Sequence, residues 1–276
     1  MGNERPYRVL AWGCGVQSTL LGELAARGEI DEIDLVLTAD PGWERQATYA
    51  TRDWYAERWI GMGLDVVVLP TGNIRREAAE EHIHIPFWTD GGGPLRRQCT
   101  RHFKLDPMKR FLRERLGYHP SEPPAPPAGA IEAWLGITLD EWTRAKRSRQ
   151  KYIVNRWPLL ERKMSRWDCV QWYIDHDMPI PPKSACVCCP YRRASDWLEM
   201  RDSAPEEWQQ AVEFDRINRE NPLAVRAGST ADYLYIYRCD QIPLGEADLE
   251  SDAAKERRVY GTQMPMFACE SGYCGI

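Results

Sequence analysis

The first third of the chain alternates short apolar segments with amphipathic ones, and turn residues separate them. Three apolar segments, Tyr7–Trp12, Asp34–Ala39 and Leu64–Leu69, have the length and composition of buried strands. Between them, Gln17–Ala26 and Glu44–Ile60 have helical character. This β-α-β-α-β order with short connections predicts a parallel sheet covered by helices.

After residue 100 the pattern becomes mostly helical. Asp106–Leu116 is predicted as a helix capped by Asp106, and a proline-rich loop, His119–Gly129, follows it. Ala130–Ile137 is predicted as a strand that returns to the same sheet. The remaining predicted elements are the helices Ser165–His176, Ala194–Arg201 and Pro205–Glu220, a short strand at Tyr233–Tyr237, and a polar tail from Ala247.

The predicted fold class is therefore α/β. Residues 1–160 are expected to form a Rossmann-like parallel sheet with helices on both faces, and residues 161–276 a mainly helical region that folds back onto it. Sheets of this kind bind ligands at the carboxyl ends of their strands. The predicted ends are Gly13–Ser18, Thr38–Glu44 and Thr71–Arg75.

Composition indicates the expected cellular location and the expected role of the cysteines. No apolar run reaches the ~18–20 residues of a membrane span, and the N-terminal residues do not resemble a secretory signal, so a cytoplasmic location is expected. The net charge of −5 provides no overall field that attracts nucleic acid. Nine cysteines in a reducing compartment favour metal binding or catalysis over disulfides.

A glycine-containing turn, WGCGVQST, joins the first predicted strand to the first predicted helix. Gly13 and Gly15 expose backbone N–H groups, Ser18 and Thr19 add hydroxyls, and the helix N-terminus adds positive partial charge. A dinucleotide fingerprint needs glycine or alanine where Ser18 stands, and a Walker loop needs a lysine that this turn lacks. The turn therefore predicts a phosphate site, although a glycine turn without a ligand remains open.

The spacing of the cysteines points to a metal. Cys186 and Cys189 form C-x-x-C followed by proline, which is common at iron–sulfur sites, and zinc uses the same spacing. The other ligands must come from distant segments, and the candidates are Cys99, Cys269 and Cys274. Iron–sulfur, zinc and reactive thiols without metal all remain open. The cysteines interpreted as core or bystander residues are Cys14, Cys169, Cys188 and Cys239.

Seven segments, in this order, resemble the PP-loop ATP pyrophosphatases of the adenine-nucleotide alpha-hydrolase superfamily, and among them the phosphoadenosine-phosphosulfate-reductase-like proteins. They are GCGVQST (13–19), TADPGWE (38–44), RRQCTRHFKLDP (96–107), WLGITLDE (134–141), NRWPLLER (155–162), PPKSACVCCPY (181–191) and ACESGYCGI (268–276). The resemblance covers nearly the whole chain. It departs from the usual Ser-Gly-Gly-x-Asp-Ser loop at Trp12 and Gln17.

The resemblance implies that ATP binds with its triphosphate on the loop and is cleaved between the α- and β-phosphates, which releases pyrophosphate and adenylylates a substrate. The implied residues for ATP and Mg²⁺ are Trp12, Gly13, Cys14, Gly15, Gln17, Ser18, Thr19, Thr38, Asp40, Glu44 and Gly136. The resemblance also implies a [4Fe-4S] cluster, with ligands Cys99, Cys186, Cys189 and Cys274 and with Cys269 competing for the last place.

Basic residues around Cys99 and after Ile137 favour an anionic, nucleotide-like or nucleic-acid-like substrate. The predicted catalytic residues are Asp40, Arg101, Lys104 and Cys274, and His102 is considered for proton transfer against a structural role. The expected activity is ATP-dependent sulfur transfer, with sulfide or a desulfurase as donor and a homodimer as an option. The alternatives are a sulfonucleotide reductase, in which Cys274 attacks, and an accessory protein of nucleic-acid sulfur modification.

Overall fold

A computed structural model describes residues 5–91, 93–226, 231–238 and 241–260. Its main sheet has five parallel strands in the order β3-β2-β1-β5-β6, and a two-stranded antiparallel ribbon pairs β4 with β7. The strands are β1 Tyr7–Ala11, β2 Leu35–Asp40, β3 Val66–Pro70, β4 Trp88–Thr89, β5 Ile131–Trp134, β6 Ile153–Arg156 and β7 Leu234–Tyr235.

The described ranges contain ten α-helices. They are α1 Val16–Ala26, α2 Gln46–Gly61, α3 Ile74–Arg76, α4 Asp106–Arg115, α5 Pro158–Glu161, α6 Arg166–Asp175, α7 Ala194–Ser203, α8 Pro205–Asn218, α9 Leu223–Arg226 and α10 Leu249–Tyr260. Two single π-helical turns, Glu77–Glu81 and Arg101–Leu105, precede His82 and α4. No helix in the described ranges is long and apolar enough to cross a membrane.

The central strand β1 determines the ligand edge of the sheet. Val9 pairs with Leu35 of β2 on one side and with Ala133 of β5 on the other. The chain therefore runs outward from β1 to β3 and then returns to the opposite side of β1. This reversal creates a switch point between β1 and β5, where open α/β sheets bind ligands.

Helices cover both faces of the sheet, as predicted. Alternate strand residues point to opposite faces, because side chains in a strand alternate with a period of two. On one face, Leu10 packs in a core with α1, α2 and α6. On the other, Val9 packs with Met108 and Leu112 of α4.

A third core contains residues from both predicted parts of the chain. Phe87 and Phe103, which lie before residue 160, pack with Trp197 and Phe214 of α7 and α8. The helical C-terminal region thereby buries apolar side chains against the segment that follows β3. This packing keeps residues 74–103 next to the cysteine segment 181–191.

Several local predictions were wrong or incomplete. The strand β6 was not predicted, since it contains only four residues, two of them polar. The polar tail predicted from Ala247 contains α10, whose Leu249 and Ala253 are fully buried. Asp106 does not cap α4, because the preceding π-helical turn already supplies helical backbone and Leu105 is the N-cap.

Glu23 of α1 carries a fully buried carboxylate that accepts hydrogen bonds from Arg58 (2.8 Å), Arg27 (2.8 Å) and the Trp59 indole (3.0 Å). Burial alone raises the pKa of Glu23, but these hydrogen bonds hold it below its ordinary value. The resulting stability is present above the unfolded pKa of about 4.3 and is lost as pH falls through the lower folded value.

We therefore expect Glu23→Gln to lower the free energy of unfolding at pH 7 by about 2 kcal/mol, or the Tm by about 4–8 °C. The loss should shrink as pH falls from the unfolded pKa of about 4.3 through the lower folded pKa of Glu23, below which the wild-type side chain is also neutral. Thermal melts from pH 3 to 8 measure both effects. Glu213→Gln, at an exposed ion pair with Arg216, is the matched control and should change little. Equal stability of wild type and Glu23→Gln at pH 7 would contradict the assignment.

Candidate functional site

The phosphate loop predicted at Gly13–Ser18 lies at the switch point, between β1 and α1. Cys14 adopts a left-handed conformation (φ 56°), the kind of turn that directs successive backbone N–H groups to one side. The Ser18 hydroxyl accepts the Gly13 N–H (3.1 Å) and donates to the Gly15 carbonyl (3.3 Å), which stabilises the turn. Gly15 is the N-cap of α1 and has no side chain to satisfy the first N–H groups of the helix, so these remain for an anion.

The opposite wall of the switch point is the segment that follows β5. A Cβ atom on Gly136 would lie 2.6 Å from the Ser18 nitrogen and 2.9 Å from the Gln17 carbonyl carbon. Both neighbours are backbone atoms that cannot rotate away. Only glycine therefore allows this segment to approach the N-terminus of α1 so closely.

Four predicted nucleotide-site residues lie beneath the loop. Thr19 is fully buried and accepts the Trp12 indole N–H (2.9 Å), while Trp12 itself is buried. Cys14 places its sulfur 3.5 Å from the Thr38 hydroxyl. Burial raises the pKa of Cys14 to about 12, so its thiol is neutral at pH 7. These side chains support the loop from the core side.

Gln17 connects the loop to two residues that the sequence analysis did not select. Its amide donates to Glu141 (3.2 Å) and accepts from the Arg166 guanidinium (2.9 Å). Glu141 lies in the WLGITLDE segment, one of the seven that carry the family resemblance, so the sequence could have identified it as a site residue. No sequence pattern indicated Arg166, at the start of α6. Two further oxygens in this region, Thr138 Oγ1 and Asp140 Oδ2, are buried and have no hydrogen-bond partner among the described residues.

Asp40, at the end of β2, is held by three donors. The Gly42 N–H (2.8 Å) and the Tyr49 hydroxyl (3.0 Å) donate to Oδ1, and Arg52 donates to Oδ2 (2.8 Å). The Tyr49 hydroxyl also accepts the Glu44 N–H (3.0 Å), so it joins the two predicted acidic residues. Asp40 therefore has its charge balanced by Arg52 in this structure.

Glu44 is the predicted acidic residue with unused hydrogen-bonding capacity. Its side chain is 7% exposed, and Oε1 accepts from Lys104 Nζ (2.9 Å) and lies 3.8 Å from Cys186 Sγ. Its other oxygen, Oε2, is buried and has no hydrogen-bond partner among the described residues. A buried carboxylate oxygen without a donor calls for a partner such as a cation or water.

The predicted catalytic residues are thus only partly brought together. Asp40 is the last residue of β2 and so lies at the carboxyl edge of the sheet. Lys104 is held at this edge by its hydrogen bond to Glu44. Arg101 is 77% exposed and its guanidinium pairs with Asp106 (3.0 Å) at the start of α4. Cys274 lies outside the described residues, as do Cys239 and Cys269.

The cysteine segment lies against this same edge. Cys186 forms an isolated antiparallel bridge with Glu44, and the N–H of the next residue, Val187, donates to the Trp43 carbonyl (3.0 Å). A pair of backbone contacts therefore attaches the C-x-x-C segment to the end of β2. This arrangement brings the Cys186 sulfur next to Glu44, one of the residues predicted for ATP and Mg²⁺.

The described thiols fit a thiolate-bound metal in donor type and surroundings. Burial raises the pKa of Cys188 and Cys189, and the Cys99 thiol raises both further, while Arg192 and Arg97 act in the opposite direction on Cys189. Such buried thiols lose their protons when a metal binds them. Cys188 itself is 1% exposed and packs in the third core, in agreement with its interpretation as a bystander.

The spacing of these sulfurs bears on which metal they suit. Zinc bonds of about 2.3 Å place two tetrahedral sulfurs about 3.8 Å apart. Among the described residues, Cys99, Cys186 and Cys189 do not form a set whose sulfurs all lie within 4.8 Å of one another. In the part of the chain that the structure describes, these three thiols are therefore not already assembled around a single ion.

A cavity of about 400 Å³ lies away from this edge, at the opposite end of α1. Its Arg156 is already paired with Asp31 (2.8 Å) and Glu161 (2.9 Å), so little positive charge is left for an anion. It also adjoins the C-terminal, electronegative end of α1. This cavity is unsuited to a triphosphate.

Comparison with known protein-family models finds no match, and comparison with curated proteins finds no similar sequence.

Proposed function

We propose that this chain binds ATP at the switch point, cleaves it between the α- and β-phosphates, and thereby adenylylates a substrate for sulfur transfer. The observation that carries the proposal is the uncapped N-terminus of α1, which faces a glycine segment at Gly136 across the switch point. A parallel sheet places its ligand there, and a helix N-terminus binds anions.

Each part of the edge has a role in this reaction. The backbone N–H groups of Gly13–Ser18 hold the phosphates, and Gln17 holds the loop to Glu141 and Arg166. The unpartnered oxygen of Glu44 is the best placed ligand for Mg²⁺, a cation that prefers carboxylate oxygens and water. Lys104, bound to the other oxygen of Glu44, adds positive charge near the leaving pyrophosphate.

The cysteines support the sulfur-transfer part of the proposal. Cys99, Cys186 and Cys189, with Cys274 as the fourth proposed ligand, would hold a [4Fe-4S] cluster beside Glu44. Such a cluster supplies either a site for sulfide or an electrostatic and structural centre. Clusters of this type and nine cysteines suit the reducing cytoplasm, where we propose that the protein acts.

The test is a pyrophosphate-release assay on the full chain, purified anaerobically with its cluster reconstituted, in the presence of Mg²⁺ and sulfide. Single-stranded RNA, single-stranded DNA and free nucleotides are supplied in turn as sulfur acceptors. We expect AMP and pyrophosphate in equal amounts, with a rate that depends on one acceptor class. ATP carrying a methylene bridge between its β- and γ-phosphates should still yield AMP, whereas the α,β-methylene analogue should not.

Other products would contradict the proposal. Formation of ADP and phosphate would place the cleavage at the wrong bond. Sulfite release from a sulfonucleotide without ATP would instead identify a reductase. Salt-sensitive nucleic-acid binding without pyrophosphate release would identify an accessory protein.

A further inference from the structure

Three of the five histidines of the chain lie together beside the segment that follows β3. The rings of His84 and His102 stack with centroids 3.8 Å apart at 15°, and the rings of His82 and His84 are 4.6 Å apart. His102 Nε2 lies 3.1 Å from Glu77 Oε2. One ligand atom each of Glu77, His84 and His102 lie within 4.8 Å of one another, and among the described residues this is the only set of three such side chains.

The backbone that carries this cluster is unusual. Glu77 begins the π-helical turn Glu77–Glu81, and His102 lies in the π-helical turn Arg101–Leu105. Single π-helical turns are rare and occur frequently at functional sites. The two turns lie on separate segments, so two independent backbone irregularities direct ligand-type side chains to one place.

His84 has an unsatisfied atom in this cluster. The residue is 9% exposed, and its Nδ1 is buried without a hydrogen-bond partner among the described residues. The histidines elsewhere are satisfied, because His119 Nδ1 accepts the Glu122 N–H (2.9 Å) and His176 Nδ1 lies 2.8 Å from the Trp172 carbonyl.

We propose that Glu77, His84 and His102 bind one divalent transition-metal cation. Two imidazoles and one carboxylate are the donor set of catalytic zinc and of non-haem iron sites, which leave a coordination position open. Bonds of about 2.1 Å place ligand atoms about 3.4 Å apart, and His102 Nε2 lies 3.1 Å from Glu77 Oε2. Because an imidazole nitrogen binds a metal in the plane of its ring, the stacked His84 and His102 rings must turn when the cation binds. His102 is 44% exposed, so solvent reaches the cluster and supplies a water as the next ligand.

This cation site is separate from the proposed cysteine cluster, although the two are neighbours. The Cys99 N–H donates to the His84 carbonyl (2.9 Å), which joins the two segments through backbone rather than through side chains. Nitrogen and oxygen donors form one set, and sulfur donors form the other. The two sites can therefore be distinguished by ligand chemistry.

The test uses the full chain, stripped of metal by a chelator and then titrated with Zn²⁺ against a chromophoric chelator. A Cys186→Ala/Cys189→Ala background removes the main sulfur donors. We expect this background to bind one equivalent of Zn²⁺, and Glu77→Gln or His102→Gln to weaken the binding by at least about 10–100-fold, since even outer-shell changes cost that much. His176→Gln is the matched control and should leave the affinity unchanged.

The visible absorption of bound Co²⁺ gives a second measurement, one that would not change if Glu77 and His102 only stabilised the fold. In the same background, bound Co²⁺ should show weak visible bands without the near-ultraviolet charge-transfer band of thiolate ligands. His102→Gln should lose these bands while its thermal melting and circular dichroism stay as in the control. If the background binds no metal, or if Glu77→Gln and His102→Gln bind it as tightly as His176→Gln does, the proposal is wrong. No ATP is present, so this result is independent of the proposed reaction.

Discussion

Replacing Gly136 with alanine should reduce pyrophosphate release by about 100-fold, a loss equivalent to about 2.7 kcal/mol of transition-state stabilisation. The added Cβ would lie 2.6 Å from the Ser18 nitrogen, so either the Gly136 segment or the phosphate loop has to move. Both walls of the switch point are backbone, and the loop shifts more readily than the sheet. Misplacing reacting groups by about 1 Å is sufficient for a loss of this size.

Measurements of ATP affinity, reaction rate and Tm distinguish this local effect from a general loss of folding. ATP affinity from calorimetry should fall together with the rate, and the Tm should fall only by the amount expected for modest overpacking of about 1–3 kcal/mol. Gly61→Ala at the end of α2 is the matched control, since a Cβ there meets no atom within 4 Å. A Gly136→Ala protein that binds and cleaves ATP like the Gly61→Ala protein would exclude the switch point as the nucleotide site.

The parallel sheet was predictable because its strands are apolar and its connections short. Tyr7–Trp12, Asp34–Ala39 and Leu64–Leu69 each became a strand within two residues of the predicted ends. The strand β6 was missed because it is short and lies at the edge, where packing against β5 rather than its own composition forms it. The π-helical turns were missed because no simple periodicity marks them.

The site divides in a similar way. The loop at Gly13–Ser18 could be predicted, because a glycine turn between a strand and a helix has a direct physical meaning. The hydrogen-bond partners that other helices supply could not be predicted. Tyr49 and Arg52 of α2 donate hydrogen bonds to Asp40, and Arg166 of α6 donates one to Gln17. His102, considered alone, was weighed as a structural residue, and only the fold shows that His84 and Glu77 lie beside it.

Replacing Cys189 with alanine should remove most of the broad absorbance near ~400 nm that we expect from the anaerobically purified protein, together with its bound iron. The proposed cluster would lose one thiolate next to Arg192 and Arg97, and the three proposed ligands that remain, Cys99, Cys186 and Cys274, would hold it much more weakly. Iron and sulfide analysis beside the absorption spectrum measures the loss. The proposed sulfur transfer should fall together with the bound iron if the cluster is the site for sulfide.

The matched control is Cys169→Ala, which also removes one buried sulfur. Cys169 is fully buried in the core formed with α1 and α2 and is not a proposed ligand. Its replacement should cost about 1 kcal/mol of stability, while the absorbance persists. Cys189→Ala should still bind ATP, because the phosphate loop and Gly136 contact none of the cysteines 186–189 through the hydrogen bonds described above. A wild-type protein that is colourless and contains stoichiometric zinc would overturn the cluster.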